Sequence, residues 1–268
     1  MVTPDHDFET VAVEIEDSTG LASVQLNRPD KLNAINAKTR EEIAEAFDWL
    51  RAQDDAADGF AVSVVILSGA GDRAFSAGAD LDEFTMAEGD DFNDADLTRF
   101  DLPRMYDSIL DYGAPVIAKI GGYCLGGAME LALCCDFLIA SEGSELGNPE
   151  IDTALPPGGG GTQRLPDRVG ASMAKELCMT GRYVSGTEAE EIGLVDHVYP
   201  DDELDAEVRE FAESIAERAD PAVRSIKHLV NMADSVPTRE GHKKELHTFF
   251  ALQRSDAYRE TLGEARDS

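Results

Sequence analysis

The pattern of this chain predicts an α/β fold followed by an all-helical tail. Two observations carry that expectation. Strand–strand–helix units recur through roughly residues 8–200, and beyond Asp201 nearly every stretch has helical periodicity. With 268 residues and 43% hydrophobic content, the chain can bury one large core, or a core with a smaller appendage. The expected division is a core over residues 1–200 and a helical region over 201–268.

The elements follow in order. Val11 to Glu16 and Leu21 to Asn27 alternate apolar and polar residues around Asp17-Ser-Thr-Gly20, which predicts a β-hairpin. Pro29 breaks the loop from Asn27 to Asn36. Ile43, Ala46, Phe47 and Leu50 recur at helical spacing, so an amphipathic helix is expected from Lys38 to about Asp54. Val62 to Leu67 is a β-branched run of the kind found in buried strands. Ser68 to Ala79 reads as glycine-rich loop, and Asp80 to Asp111 as an acidic helical stretch interrupted at Gly89 and Pro103. Pro115 to Ile120 is a strand, Gly126 to Cys135 a helix opening on glycines, and Phe137 to Ala140 another strand. Gly158 to Gly161 is loop, with Thr162 as cap of a helix entering Gln163-Arg-Leu165. Val195 to Tyr199 is the last strand. The tail breaks at Pro221 and Pro237, and its apolar residues, such as Ile226, Val230, Phe249 and Phe250, must pack on the core or on another subunit.

The formal charge is -31, from 54 acidic against 23 basic residues. Such a surface repels nucleic acid and anionic membranes. The apolar content argues against disorder, so the charge fits a globular protein of a halophile's cytoplasm, where about 1 M salt shortens the screening length to roughly 3 Å. Cys124, Cys134, Cys135 and Cys178 form no C-x-x-C, and no histidine stands at metal-ligand spacing from them, so no metal site is expected. The polar, acidic start of the chain lacks a signal-peptide pattern. The apolar run from Cys124 to Ala140 is interrupted by Glu130 and Asp136 and is too short and charged to span a bilayer.

Two glutamates stand behind glycine-rich backbone. Glu130 ends Gly121-Gly-Tyr-Cys-Leu-Gly-Gly-Ala-Met-Glu130, and Glu150 precedes Leu155-Pro-Pro-Gly-Gly-Gly-Gly-Thr-Gln-Arg-Leu165. If a helix starts near Gly127, its first N–H groups lack intrahelical partners, and glycine lets a ligand oxygen approach them. Gly126 and Gly127 equally allow plain close packing, with Glu130 an ordinary first-turn glutamate. Ser76-Ala-Gly-Ala-Asp80 leaves the Ala79 N–H approachable, or is a strand-to-helix turn capped by Asp80. Glu150 lies between apolar Leu146 and Ile151, unlike the usual solvated loop glutamate. G-x-S-x-G, H-E-x-x-H and a dinucleotide G-x-G-x-x-G are absent, which points to carboxylate chemistry.

In order along the chain stand Asn27-Arg-Pro with Leu32-Asn-Ala34, Ala74-Phe-Ser-Ala-Gly-Ala-Asp80, Gly122-Tyr, Leu125-Gly-Gly and Glu130-Leu-Ala, Asp136, Pro149-Glu150, Gly160-Gly-Thr-Gln-Arg-Leu165, Thr180-Gly and Gly193-Leu-Val195. This ordered set resembles the enoyl-CoA hydratase/isomerase family, the crotonase superfamily, and the charge would make the chain a haloarchaeal member. The resemblance implies a crotonase-like spiral of ββα units with a C-terminal all-helical trimerisation region, as a homotrimer or a hexamer of two trimers. It implies an acyl-CoA thioester as substrate, with coenzyme A part of that substrate and no separate cofactor. The thioester oxygen would be held by the amides of Ala79 and Gly127. The adenine end would lie against Lys31 and Leu32 and the backbone near Ala77, Asp80 and Leu81, with Gly126 also lining the substrate.

Glutamates at both Glu130 and Glu150 match the hydratases of this family, and so imply hydration of trans-2-enoyl-CoA to 3-hydroxyacyl-CoA in fatty-acid or related acyl-CoA degradation. Near a helix N-terminus Glu130 is expected to stay ionised and act as base, while Glu150 holds and delivers a proton. An enoyl-CoA isomerase, a CoA-thioester hydrolase, a hydratase-lyase and a non-catalytic binding or scaffold subunit stay open as alternatives. Ala154 departs from a common family glycine, and Pro156-Pro157 doubles a usual single proline.

Overall fold

The computed structural model describes residues 1–5, 8–57, 59–83, 102–218, 220–233 and 235–267. The expected hairpin is present. β1 (Val11–Glu16) pairs antiparallel with β2 (Leu21–Leu26), with Val13 opposite Val24. Val11, Val13 and Ile15 are buried while Ala12 and Glu14 face out, the period of two that alternating residues impose. α1 (Ala37–Ala56) follows, capped by Asn36, whose side-chain oxygen accepts from the Thr39 N–H at 2.8 Å.

Two sheets are then built in alternation. β3 (Val64–Gly69), β5 (Val116–Ile120), β7 (Phe137–Ser141) and β10 (His197–Tyr199) join β1 and β2 in a six-stranded sheet ordered β1-β2-β3-β5-β7-β10, parallel from β2 onward. β4 (Ala74–Ser76), β6 (Tyr123–Leu125), β8 (Glu145–Gly147) and β9 (Val184–Ser185) form a four-stranded sheet in that order. Each unit thus gives one strand to the large sheet and the next to the small one. The short strands β4, β6 and β8 were invisible in the pattern, because three residues cannot establish a period. Five of the helices are α2 (Leu102–Leu110), α3 (Gly127–Ala132), α4 (Gly161–Thr180), α5 (Gly186–Glu191) and α6 (Leu204–Ala216). Of the acidic stretch expected to be helical, residues 84–101 lie outside the described residues. α4 opens at Gly161 with Gly160 as its cap, two residues ahead of the expected cap Thr162. No helix among the described residues is long and apolar enough to cross a membrane.

One core joins the inner faces of both sheets, with Val24, Val65 and Ala118 from the large sheet meeting Phe75, Cys124 and Leu146 from the small one. A second apolar cluster lies on the other face of the large sheet. There Leu204, Val208 and Ala212 of α6 cover Leu21, Val64, Ile117 and Ile139.

The rest of the tail consists of α7 (Asp220–Asn231), α8 (Thr238–Leu252) and α9 (Asp256–Asp267). Pro221 and Pro237 start helices here rather than end them, since the first turn needs no N–H from proline. α7 is tied to the core by polar links. Arg224 meets Asp54 at 2.9 Å, Lys227 meets Asp136 at 2.7 Å, and the Ser63 hydroxyl donates to Asp220 at 3.2 Å. Its Ile226 and Val230 remain exposed, as do Phe249 and Phe250 of α8.

Glu42 is a buried charge with a structural task. One of its oxygens accepts from the Glu9 N–H at 2.8 Å, and the other accepts from the Thr10 N–H at 2.7 Å and the Thr10 hydroxyl at 2.6 Å. Burial acts to raise its pKa, but these donors win and hold the carboxyl below its usual value. A group with a lowered pKa stabilises the fold above its unfolded pKa, and that contribution is lost as pH falls. Glu42→Gln turns an amide donor onto the Thr10 N–H and should cost about 3 kcal/mol. Urea unfolding should show the gap between wild type and variant at neutral pH and its narrowing as the pH drops through the carboxylate range.

Candidate active site

The site begins where two strand ends of the small sheet lie side by side. β4 runs parallel to β6, so the loop after β4 sits beside the start of α3. Gly126, at φ 56 and ψ -124, turns the chain into α3 in a conformation that glycine tolerates best. At Gly78 a Cβ would stand 2.5 Å from the Leu125 carbonyl oxygen and 3.3 Å from the Gly127 nitrogen, and one on Gly127 would stand 3.7 Å from the Ala79 nitrogen. Only glycine permits this approach. It brings the N–H groups of Ala79 and Gly127 together, and among the described residues neither donates to a backbone carbonyl.

The Asn27–Asn36 loop fixes the Ala79 side. The Ile35 N–H donates to the Gly78 carbonyl at 2.8 Å, the Asp80 N–H to the Ile35 carbonyl at 3.0 Å, and the Ala77 N–H to the Leu32 carbonyl at 2.9 Å. Beneath these lies an ion pair of Arg28 with Asp80 at 2.9 Å. Burial opposes the Asp80 charge, yet Arg28 holds that carboxyl below its ordinary value. The Asp80 side chain is thus occupied in tying the loop down. Lys31 meets Asp82 at 3.1 Å in an exposed pair, and Leu81 is exposed.

Glu130 lies in the first turn of α3 and is only 3% exposed. Its Oε1 accepts from the Gly159 N–H at 2.7 Å and the Gly161 N–H at 2.8 Å. The tetraglycine segment is therefore a carboxylate cradle at the mouth of α4. Burial first, then the nearby Glu150 charge, push the Glu130 carboxyl up to about 7 against the pull of the two amides. Desolvation thus works against the ionisation expected from the place of Glu130 at a helix N-terminus. Glu150 stands on the one-turn 3-10 segment Pro149–Thr153. Its Oε1 receives a long contact at 3.5 Å from Asn148, while Oε2 is buried without a hydrogen-bond partner. Burial raises its pKa as well. A Cβ on Gly126 would lie 3.4 Å from Glu150 Oε1, so this carboxylate reaches the helix start that carries the Gly127 N–H. Both glutamates, Gly126 and the two amides thus converge. Lys31, Leu32 and Leu81 lie to the Ala79 side.

Ala154 has φ 60 and closes the turn after Glu150, its N–H donating to the Ile151 carbonyl at 2.9 Å. That left-handed conformation explains why a glycine suits the position. Tyr106 and Arg164 escaped notice as a pair. Tyr106 is buried on α2, its hydroxyl so close to Gly159 that a Cβ there would lie 2.1 Å from it. Arg164 lies over the Tyr106 ring at 5.7 Å and donates to the Gly159 carbonyl at 2.9 Å. The sequence signal for Arg164 was its place in Gly160-Gly-Thr-Gln-Arg; Tyr106 had none. Among the described residues no cluster of His, Cys, Asp and Glu can hold a metal ion.

Comparison with known proteins agrees with this arrangement. The model of the family Enoyl-CoA hydratase/isomerase matches residues 16–265. A probable enoyl-CoA hydratase of Rhizobium meliloti is 39% identical over 95% of this chain and 94% of its own. The crotonyl-CoA hydratase of Syntrophomonas wolfei is 38% identical over 84% and 82%. The crystal structure of an enoyl-CoA hydratase from Bacillus anthracis superposes with a TM-score of 0.86 at 34% identity, covering 97% of this chain and 96% of that one. The alternating sheets, the facing amides and the two converging glutamates thus sit in a chain that belongs to the enoyl-CoA hydratase/isomerase family, with the crotonase fold.

Proposed function

We propose that this enzyme hydrates trans-2-enoyl-CoA thioesters to 3-hydroxyacyl-CoA. The observation that carries the proposal is the presence of two glutamates drawn out of water, Glu130 buried and Glu150 half-buried, beside the adjoining N–H groups of Ala79 and Gly127. A double-bond shift needs one acid–base group; adding water needs a base for the water and an acid for the carbon. The thioester oxygen accepts from the two amides, which stabilise the enolate as it forms. Glu130, with Oε1 engaged by Gly159 and Gly161, offers its other oxygen to water and takes a proton as the water oxygen bonds to C3. Glu150, whose Oε2 has no partner, is suited to carry a proton and give it to C2. Solvent exchange then returns one proton from Glu130 and one to Glu150, so that a single water is added.

Coenzyme A enters as part of the substrate, along Lys31, Leu32, Ala77 and Leu81, and no separate cofactor is required. A trimer, or a pair of trimers, would cover the apolar faces of α7 and α8. The charge of -31 fits a salt-rich cytoplasm and a substrate that is neither nucleic acid nor membrane.

Crotonyl-CoA hydration, followed by loss of the enoyl thioester absorbance in strong KCl, tests the assignment. Glu130→Gln and Glu150→Gln should each lower kcat by about 10²–10⁴. Near-wild-type hydration by either variant would overturn the role given to that glutamate, and double-bond migration without hydration would identify an isomerase. The base must be ionised, so kcat/KM should fall as the pH drops through about 7. The raised Glu130 carboxyl also makes the fold less stable as pH rises from 4.5 to about 7, by roughly 3 kcal/mol, and Glu130→Gln should flatten that decline in urea unfolding. Because the protein and coenzyme A are both anionic, calorimetric affinity for butyryl-CoA should rise with KCl; tighter binding in dilute buffer would contradict the charge argument.

A further inference from the structure

We propose that Tyr106 is the partition that ends the acyl pocket and sets the upper limit on acyl length. This rests on the thioester position proposed above. α2 and the α3 segment each span two compartments. At the cleft they carry Tyr106 and Glu130; one turn later Leu110 on α2 and Cys134 just past the end of α3 line an open cavity of about 1090 Å³ beneath α7. Cys134 Sγ ties the segment after α3 back to that helix, donating to the Glu130 carbonyl at 3.3 Å. Leu133, Phe137, Ile215 and Val230 make much of the remaining cavity wall apolar.

The Tyr106 ring stands at the cleft end of α2, one turn before Leu110 of the cavity wall. Its hydroxyl lies 4.0 Å from where a Cβ on Gly127 would be, next to the amide proposed to hold the thioester, and its edge fills the space a side chain at residue 159 would need. Arg164 locks it from behind, stacking on the ring at 5.7 Å and bonding the Gly159 carbonyl at 2.9 Å. An acyl chain leaving the Gly127 amide between α3 and the tetraglycine segment therefore meets the phenol after a few carbons. With the ring removed, the same path opens toward the apolar side of that cavity, formed by Leu110, Leu133 and Cys134. Each methylene that then leaves water is worth about fourfold in affinity.

Calorimetric titration with butyryl-, octanoyl- and dodecanoyl-CoA, which cannot react, tests this in wild type, Tyr106→Ala, Tyr106→Leu and Tyr106→Phe. Wild type and Tyr106→Phe should share one preference for the short chain. Tyr106→Ala and Tyr106→Leu should shift the dodecanoyl-to-butyryl affinity ratio by at least about tenfold toward the long chain. The ratio of kcat/KM for dodecenoyl- against crotonyl-CoA should move the same way. An unchanged ratio in either shortened variant that keeps the wild-type urea midpoint overturns the proposal. So does a wild type that already gains affinity with each added methylene. If wild type hydrates no enoyl-CoA, the proposed reaction falls instead, and the saturated thioesters still decide whether Tyr106 limits the pocket.

Discussion

A carboxylate buried against backbone amides is the constraint on which the site depends. Glu130 is almost wholly removed from water, and two glycine N–H groups at the start of α4 are what make that burial tolerable. Their placement requires the chain to cross from β8 through the Glu150 turn to α4 without side chains in the way. At Gly161 a Cβ would sit 3.1 Å from the Glu130 carboxylate, so a side chain there would have to push the carboxylate aside. The cost of holding it appears as a proton affinity displaced toward neutrality, which is what acid–base chemistry near pH 7 can use.

The alternation of strands between two sheets supplies the other half. Because β4 and β6 are parallel neighbours, whatever follows one lies next to whatever follows the other. The two amide segments are forty-odd residues apart in sequence and in contact in space. The Asn27–Asn36 loop is stitched to the first of them by three backbone hydrogen bonds and the Arg28–Asp80 pair. The amide pair therefore has rigid backing on both sides, as preorganised stabilisation of a developing oxyanion requires.

Much of this was legible in the residues. Val11–Glu16 and Leu21–Leu26 were plain because one face is buried and the other wet, so polarity alternates. α1 was plain because Ile43, Phe47 and Leu50 line one stripe. The motif set located both glutamates and both amides, since glycine and carboxylate spacing is local. What stayed hidden is what depends on long-range packing. β4, β6 and β8 are three residues each and owe their existence to neighbours. The proton affinity of Glu130 could not be read from its helix position, because burial comes from α4, some thirty residues on. Tyr106 lay in α2 with no motif around it, and its closeness to Gly159 exists only in three dimensions.

The links that fasten α7 have a consequence for how the molecule responds to salt. Lys227 with Asp136 and Arg224 with Asp54 are mostly shielded from solvent, whereas Lys31 with Asp82 stands open. Dissolved ions loosen contacts they can reach and leave shielded ones nearly as they were. Salinity therefore loosens the Lys31–Asp82 contact on the Asn27–Asn36 loop, while the links that hold α7 to the core stay fastened.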